Sequence, residues 1–530
     1  MAITAGAGQR QGAGAPTTTA EADPAPAVRH GGIPSSRAGG GPGQGRPRRR
    51  SPIAVARLVR LFRYVLARYW ATTQGQLRLA RAVCLLLGAG LVVLIAVAAT
   101  GLSTTWDAIQ HRAAPRTVAA TQLNLALNDM DAQAANILLS SGDSGTGKGR
   151  LDESYSKASG FYRDAQQTIS RSLRTLGAAS EGDKATEDTV VALTDDFAHY
   201  QELIGRALEN DGHPDGKDAA RADYRMATDL LAQQLLPQAR QLVDANSAVY
   251  ESEYEAARSD LSVQLVTEAI LGMMLLVALV VLQVRLARSF RRVFNPALLA
   301  ATLCAVVAVV CGSRLLTVSE EQLKIARHDS FDSVVALSRS KAIGYDANAD
   351  ESRFLLDASR RDLYEKSFLN KSQQLYGLEG ASLSTYDAKL GETWSAYQRD
   401  HSDEQFTGEY RRELDNITFA GERDAAEKTV EAYAIYQKDD RAFRQLITEG
   451  RLQEATVFCI GWASDTSNAH FGIWMKALDQ VTAINAAHHE TAIVTGRDAI
   501  GVQAPLAAGA LLLAAGLLVL GLRPRLAEFH

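Results

Sequence analysis

Residues Ala82 to Trp106 read AVCLLLGAGLVVLIAVAATGLSTTW, 25 consecutive positions without a charge. As a helix at about 1.5 Å per residue, such a run covers about 37 Å, more than the roughly 30 Å of a hydrocarbon core. It begins some 80 residues into the chain and is longer than a signal-peptide h-region, so it reads as a transmembrane helix rather than a cleaved leader. Three further apolar runs follow the same logic, and together they place the spans at 82–106, 261–284, 293–313 and 499–522. Glu268 is the one acid close to a span, one turn from an interface, where a carboxylate can reach water at little cost. With no other ionisable group in four spans, an ion pathway has little to run on.

Orientation follows from the basic flanks, because Lys and Arg next to membrane helices stay in the cytoplasm. Ten arginines from Arg46 to Arg81 precede the first span without an acid; Arg285, Arg288, Arg291 and Arg292 lie between the second and third, and Arg523 and Arg525 follow the fourth. Both termini are therefore expected inside the cell membrane, with 107–260 and 314–498 outside. The stretch 107–260 carries 25 acids against 15 bases, and 317–498 carries 31 against 21, whereas the whole chain of 530 residues is only −4. Two acidic external modules on a basic interior side are the result. Of the four cysteines only Cys459 lies outside the apolar runs, which excludes an intrachain disulfide framework.

Residues 1–52 hold seven of the 13 prolines and eleven glycines, a composition that buries no core and implies a disordered cytoplasmic tail. Over 53–81, apolar residues at helical spacing alternate with Arg57, Arg60, Arg63 and Arg68. This is a basic amphipathic helix suited to anionic inner-leaflet lipids, or alternatively to a docked cytoplasmic partner. The hairpin 285–292 and the tail 523–530 complete the inner side. None of these pieces is large enough for a kinase, cyclase or phosphatase domain, so the chain is expected to be no enzyme, and its output must pass through another protein.

Both modules show helical periodicity and no strand signal. In the first, Leu123, Leu127, Met130, Ala134 and Ile137 mark one helix, followed by helices over 151–176, 185–208 and 219–261, with Pro237 expected to kink or break the last. In the second, Phe331, Val334, Val335, Ala342 and Tyr345 begin a series that Phe471, Trp474, Leu478, Val481 and Ile484 end. An internal echo joins DAQAANILL at Asp131–Leu139 to DANADESRFLL at Asp346–Leu356. The chain thus reads as two copies of span, helical bundle, span; chance similarity of alanine-rich helices is the other account. The fold class is an all-α membrane protein with four transmembrane helices and two extracytoplasmic four-helix-bundle-like sensor domains.

Chemical motifs are sparse. GDSGTGKG at Gly142–Gly149 imitates a phosphate loop, but no strand precedes it and Gly149 stands where Ser or Thr would hold magnesium, so it reads as a turn. His488-His489-Glu490 places its imidazoles about 100° apart on a helix, which does not suit one metal ion and suggests a solvated face. No metal, cofactor or nucleic acid is expected. Polar residues that could line a small-ligand site between helices are Asp129, Asp131, Asn136, Asp346 and Arg353, since a ligand with amino and carboxylate groups needs both signs of charge.

The stretch NDMDAQAANILL at Asn128–Leu139 looks like the first helix of the four-helix sensory bundles of bacterial chemoreceptors and sensor kinases. The whole arrangement, with YRMATDLLAQQLLP at Tyr224–Pro237, the glycine-bounded Gly450–Gly461 and NAHFG at Asn468–Gly472, resembles the actinobacterial GlnX-type membrane proteins. That resemblance, over residues 60–525, implies a sensor of glutamate or aspartate availability. It also implies a solute-binding lipoprotein outside and a cytoplasmic PknG-type Ser/Thr kinase inside as partners. The long Pro/Gly/Arg tail has no counterpart in the resemblance. An envelope scaffold and an accessory subunit of a transporter are the rival functions, and the architecture admits a homodimer.

Overall fold

The computed structural model describes residues 73–142, 151–180, 183–290 and 295–527. The tail 1–52, the amphipathic segment with Arg57, Arg60, Arg63 and Arg68, Arg291 and Arg292 of the hairpin, and all but Gly142 of the Gly142–Gly149 turn lie outside the described residues. The described residues are about 89% helical and include no strand. An isolated bridge between Gly377 and Thr407 is the one extended pairing among them.

Among the described residues four helices are long and apolar enough to cross a membrane, the pattern of a multi-pass membrane protein. Helix α1 (Thr73–Ala108) passes through a π-helical turn at Ile109–Ala113 into α2 (Ala114–Ser140). Helices α3 (Asp152–Ala179), α4 (Lys184–Asp211) and α5 (Lys217–Leu230) complete a bundle with the outer half of α6 (Leu236–Phe290), which then runs on as the second apolar helix. The second half repeats this opening: α7 (Pro296–Lys324), a π turn at Ile325–Phe331 and α8 (Asp332–Leu356). It then inserts α9 (Arg361–Leu375), α10 (Tyr386–Arg399), α11 (Glu409–Asp415), α12 (Glu422–Thr448) and α13 (Leu452–Ile460) before α14 (Ser467–Ala527) returns as one unbroken helix. The second bundle is therefore elaborated by short helices that the simple repeat does not contain.

Pro237 neither breaks nor ends its helix. A π-helical turn at Leu231–Leu235 sits directly before it, and α6 continues to Phe290. Proline removes one N–H and crowds the carbonyl four residues back; a wider turn relieves both.

The apolar helices form a ring in which α1 touches α6 and α14, and α7 touches the same two. Leu91, Ile95, Leu275, Leu279, Leu298, Ala305 and Leu511 fill its centre, while Leu86, Val93, Met273, Leu303 and Leu512 point outward and are exposed. Such an inside-out surface suits lipid and not water. Glu268 turns inward instead of reaching water: it is 1% exposed and accepts a hydrogen bond from Ser313 Oγ at 2.9 Å. Gly312 makes the room, since a Cβ there would lie 2.3 Å from the carboxylate.

Above the ring, side chains from all four continuing helices pack into a collar. Tyr250 meets Phe331 with ring centres 4.8 Å apart, Arg327 binds Glu251 at 2.7 Å, and the His489 Nδ1 faces the Ala326 carbonyl at 2.9 Å. His488 instead stacks on Phe419 at 3.8 Å. The two histidines diverge, as their spacing requires, but both are part-buried in packing contacts and not on a solvated face. Burial holds His489 below the usual histidine range, against the hydrogen bond to Ala326.

The two bundle cores differ in character. Aliphatic side chains such as Leu123, Leu127, Ile169, Leu193 and Ile204 dominate the first. The second is aromatic, with Phe368, Tyr386, Tyr433, Tyr436 and Trp474 all fully buried. Its polar tips are matched: Tyr386 Oη donates to the Ser372 carbonyl at 2.7 Å, and Trp474 Nε1 donates to Tyr410 Oη at 2.8 Å.

Glu413 lies in this second bundle, 5% exposed and near Glu422. Glu422 is fully buried and takes hydrogen bonds from Thr418 N, Phe419 N and Asn485 Nδ2 at 2.8, 3.0 and 2.6 Å. Burial first, and then the charge of Glu422, push Glu413 up to about 7, against a hydrogen bond from Ser333. An acid raised on folding favours the folded state only while it can stay protonated. Its contribution is present below the unfolded pKa, about 4.5, and is lost as pH rises towards about 7. Folding stability measured by denaturant titration is expected to decline over that interval and then level off. Glu413→Gln should flatten the decline; an unchanged slope in that variant would refute the assignment.

Candidate functional site

Helix α2 is buried on nearly every side from Asn124 to Ser140 because it packs against α3 of its own bundle and against α8 of the other. The echoing segments of the sequence therefore lie against each other. Alanines at 132, 134 and 135 of α2 and at 347 and 349 of α8 keep the two backbones close, and all five are buried. Helix α2 has no single apolar face, the pattern of an element with neighbours on every side.

At the centre of this contact lies a buried ionic cluster. Arg353 of α8, 5% exposed, directs Nη2 and Nε at Asp131 Oδ2 of α2, at 2.5 and 3.2 Å. Its Nη1 reaches Asp350 at 2.6 Å and Asp346 at 3.0 Å. Lys371 of α9 closes the far side, 2.5 Å from Asp350 and 2.8 Å from Asp346. The hydroxyls of Tyr200 and Tyr224 donate to the two oxygens of Asp131 at 2.7 and 3.1 Å. Three carboxylates thus face two cations, and two phenols solvate the surplus negative charge.

The electrostatics hold Asp346 and Arg353 of this arrangement in their charged forms. Burial opposes the ionised form of Asp346, but Lys371 and Arg353 outweigh it and draw its carboxyl down to about 2. Burial likewise opposes the guanidinium of Arg353, and Asp131 and Asp350 overcome it, leaving Arg353 well above its ordinary value. Burial, then the charge of Asp131, lift both Tyr200 and Tyr224 well above the usual phenol range, so they remain hydrogen-bond donors.

Of the residues expected to line a ligand site, Asp131, Asp346 and Arg353 meet in this cluster and bind one another. Asn136 stands one turn further along α2, where its Oδ1 accepts from Ser352 Oγ of α8 at 2.7 Å. Asp129 lies outside the cluster and accepts from Gln133 at 2.9 Å. Burial pushes Asp129 up to about 7, with the Gln133 bond and Lys341 opposing. Asp350, Lys371, Tyr200 and Tyr224 belong to the cluster, although the sequence points to none of them as a site residue. Asp350 and Lys371 carry charges where the helical pattern calls for buried positions, which is the one signal that marks them.

Two outer ion pairs flank the cluster and also join the halves. Arg225 of α5 binds Asp357, and Arg360 reaches Asp229 of α5 at 2.8 and 3.0 Å. Being part-exposed, these are worth less than the buried cluster. A second buried group lies within the second bundle: Glu351 accepts from Tyr436 Oη at 2.7 Å, and Asp440 pairs with Arg444 at 2.9 Å. Burial and the neighbouring Asp440 hold Glu351 well above the usual carboxylate range.

The fold and this junction define a multi-pass membrane protein whose apolar helices continue into two interlocked helical bundles. Residues 105–255, from the end of α1 through the first bundle, match the family model described as an actinobacterial sensor domain. No curated protein and no solved structure matches the chain. The match supports a sensor protein of actinobacteria with a sensing or signalling role.

Proposed function

We propose that the chain is a non-enzymatic transmembrane sensor and signal transducer. It relays an extracytoplasmic signal, amino-acid availability read directly or through a solute-binding lipoprotein, to a cytoplasmic Ser/Thr kinase pathway. The observation that carries this reading is that the two helices joined by the Arg353–Asp131 pair are also helices that leave the membrane. Helix α2 continues α1 and helix α8 continues α7, each through a π turn. A change in how the bundles pack therefore moves membrane helices directly. π turns break the regular ladder and are natural points of adjustment, and small shifts suffice when a packed interface has two arrangements.

The arginine flanks support a topology with both bundles outside and both termini in the cytoplasm. Ser170→Cys and Ser402→Cys, at exposed positions of the two bundles, are expected to react with an impermeant maleimide in intact cells. Protection of both would reverse the topology. The function itself is tested by following phosphorylation of the kinase's substrate after amino-acid addition in a deletion strain. Loss of the response, restored by the wild-type chain, is expected; an undiminished response rules the reading out.

A further inference from the structure

A cavity of about 300 Å³ opens between α2, α6 and α8, on the membrane side of the Arg353 cluster. That volume falls at the lower end of the roughly 300–1,000 Å³ typical of ligand sites. Its floor is polar. Asn124 and Asn128 are 7% and 2% exposed, both line the cavity, and the side-chain oxygen of each lacks a hydrogen-bond partner. Unsatisfied buried acceptors are costly and call for a donor. The mouth is charged: Arg240 makes no ion pair among the described residues, and beside it Arg339 faces Asp244 at 3.3 Å.

We propose that this cavity is a binding site for a small carboxylate that also bears hydroxyl or ammonium donors. The guanidinium of Arg240 suits the carboxylate, and charge-assisted pairing of that kind is strong and directional. The oxygens of Asn124 and Asn128, with Asp244 at the mouth, accept from the donors. A ligand lacking either half leaves one end of the site unmatched. This inference rests on the sensor reading and gives it an input, because three of the four lining helices, all but α9 with its Gln374, are continuous with membrane helices. An occupant would draw α6 against the α2–α8 pair, and that displacement is already directed at the bilayer.

The test is calorimetric titration of the full-length protein in lipid nanodiscs with four probes. L-serine and L-malate carry both features, succinate carries carboxylates without donors, and ethanolamine carries donors without a carboxylate. Saturable one-to-one binding of serine or malate is expected, with succinate and ethanolamine weaker by about tenfold or more, the loss expected for one charge-assisted hydrogen bond. Arg240→Ala, at the exposed rim, and Asn128→Leu, on the floor, should each weaken binding by a similar factor. The rim variant keeps the test valid should the floor variant fail to fold. Absence of binding by all four probes, leaving the cavity to water, would overturn the proposal. So would equal binding of succinate, or binding unchanged in both variants. Binding that survives while the kinase response is absent would overturn the sensor reading and leave the site standing.

Discussion

Arg353→Met is expected to destabilise the paired bundles by about 3–5 kcal/mol, the range for removing one partner of a buried ion pair. The substitution keeps the volume of the side chain but leaves Asp131, Asp346 and Asp350 buried against Lys371 alone. Asp131 suffers most, because its remaining partners are the two phenols of Tyr200 and Tyr224. Urea unfolding in detergent, followed by circular dichroism, measures the loss; a change below about 1 kcal/mol, the level of an exposed pair, would show that the cluster contributes little. Arg353→Lys should recover only part of the stability, since an ammonium lacks the planar fork that serves carboxylates on two helices at once. Adding Asp131→Asn to Arg353→Met should restore some of it by removing the stranded charge.

The pH dependence supplies an independent check on the same cluster. Asp346 is depressed on folding, so the stability it contributes is complete above its unfolded value, about 4, and is lost as pH falls towards about 2. In Arg353→Met that acid-side loss should still begin near the unfolded value but be smaller and reach completion at higher pH, because one of the two cations that hold the carboxyl down is gone. This slope runs opposite to the one set by Glu413, and the two variants separate them.

Trp106→Ala is the second large effect expected, at about 3–5 kcal/mol for an aromatic core truncation. Trp106 ends the uncharged run of α1, is fully buried, and lies against α14 at Gly496. A Cβ at Gly496 would come within 2.3 Å of the indole, so the reciprocal change Gly496→Ala should also destabilise, by about 1–3 kcal/mol of overpacking. The two single variants remove opposite halves of one contact, a cavity in one case and a clash in the other. Their combination should cost less than the sum, because the smaller side chain admits the methyl group. Strict additivity in thermal unfolding would mean that the pair does not act as a unit. Because this contact sits where the first and last membrane helices leave the bilayer, both variants should also blunt signalling in the deletion strain.

The helices were legible in the sequence where one physical requirement governed long stretches. The uncharged run at 82–106 demands a membrane or a core, and the spacing of Leu123, Leu127 and Met130 admits only a helix. The helices of the first bundle fall close to the expected bounds, since glycine-rich and polar turns separate them. The short helices of the second bundle are less legible, because the Gly377–Thr407 bridge and the positive φ at Gly408 depend on contacts between distant segments. Pro237 and Glu268 show the same limit. A local rule, that proline breaks helices and that carboxylates seek water, yields where a π turn or an inward serine relieves the cost.

By itself, then, the sequence determined the helical class and four segments long and apolar enough to cross a membrane, because hydrophobic length and period are properties of a single segment. It also singled out Asp131, Asp346 and Arg353, as polar residues that could line a small-ligand site between helices. Only the tertiary structure decided that these charges answer one another across the two halves and that an open polar cavity lies beside them. Which faces meet depends on how two helices some 200 residues apart are packed together. No local pattern of spacing or charge encodes that choice, which the fit of alanine against alanine and of one guanidinium among three carboxylates makes in three dimensions.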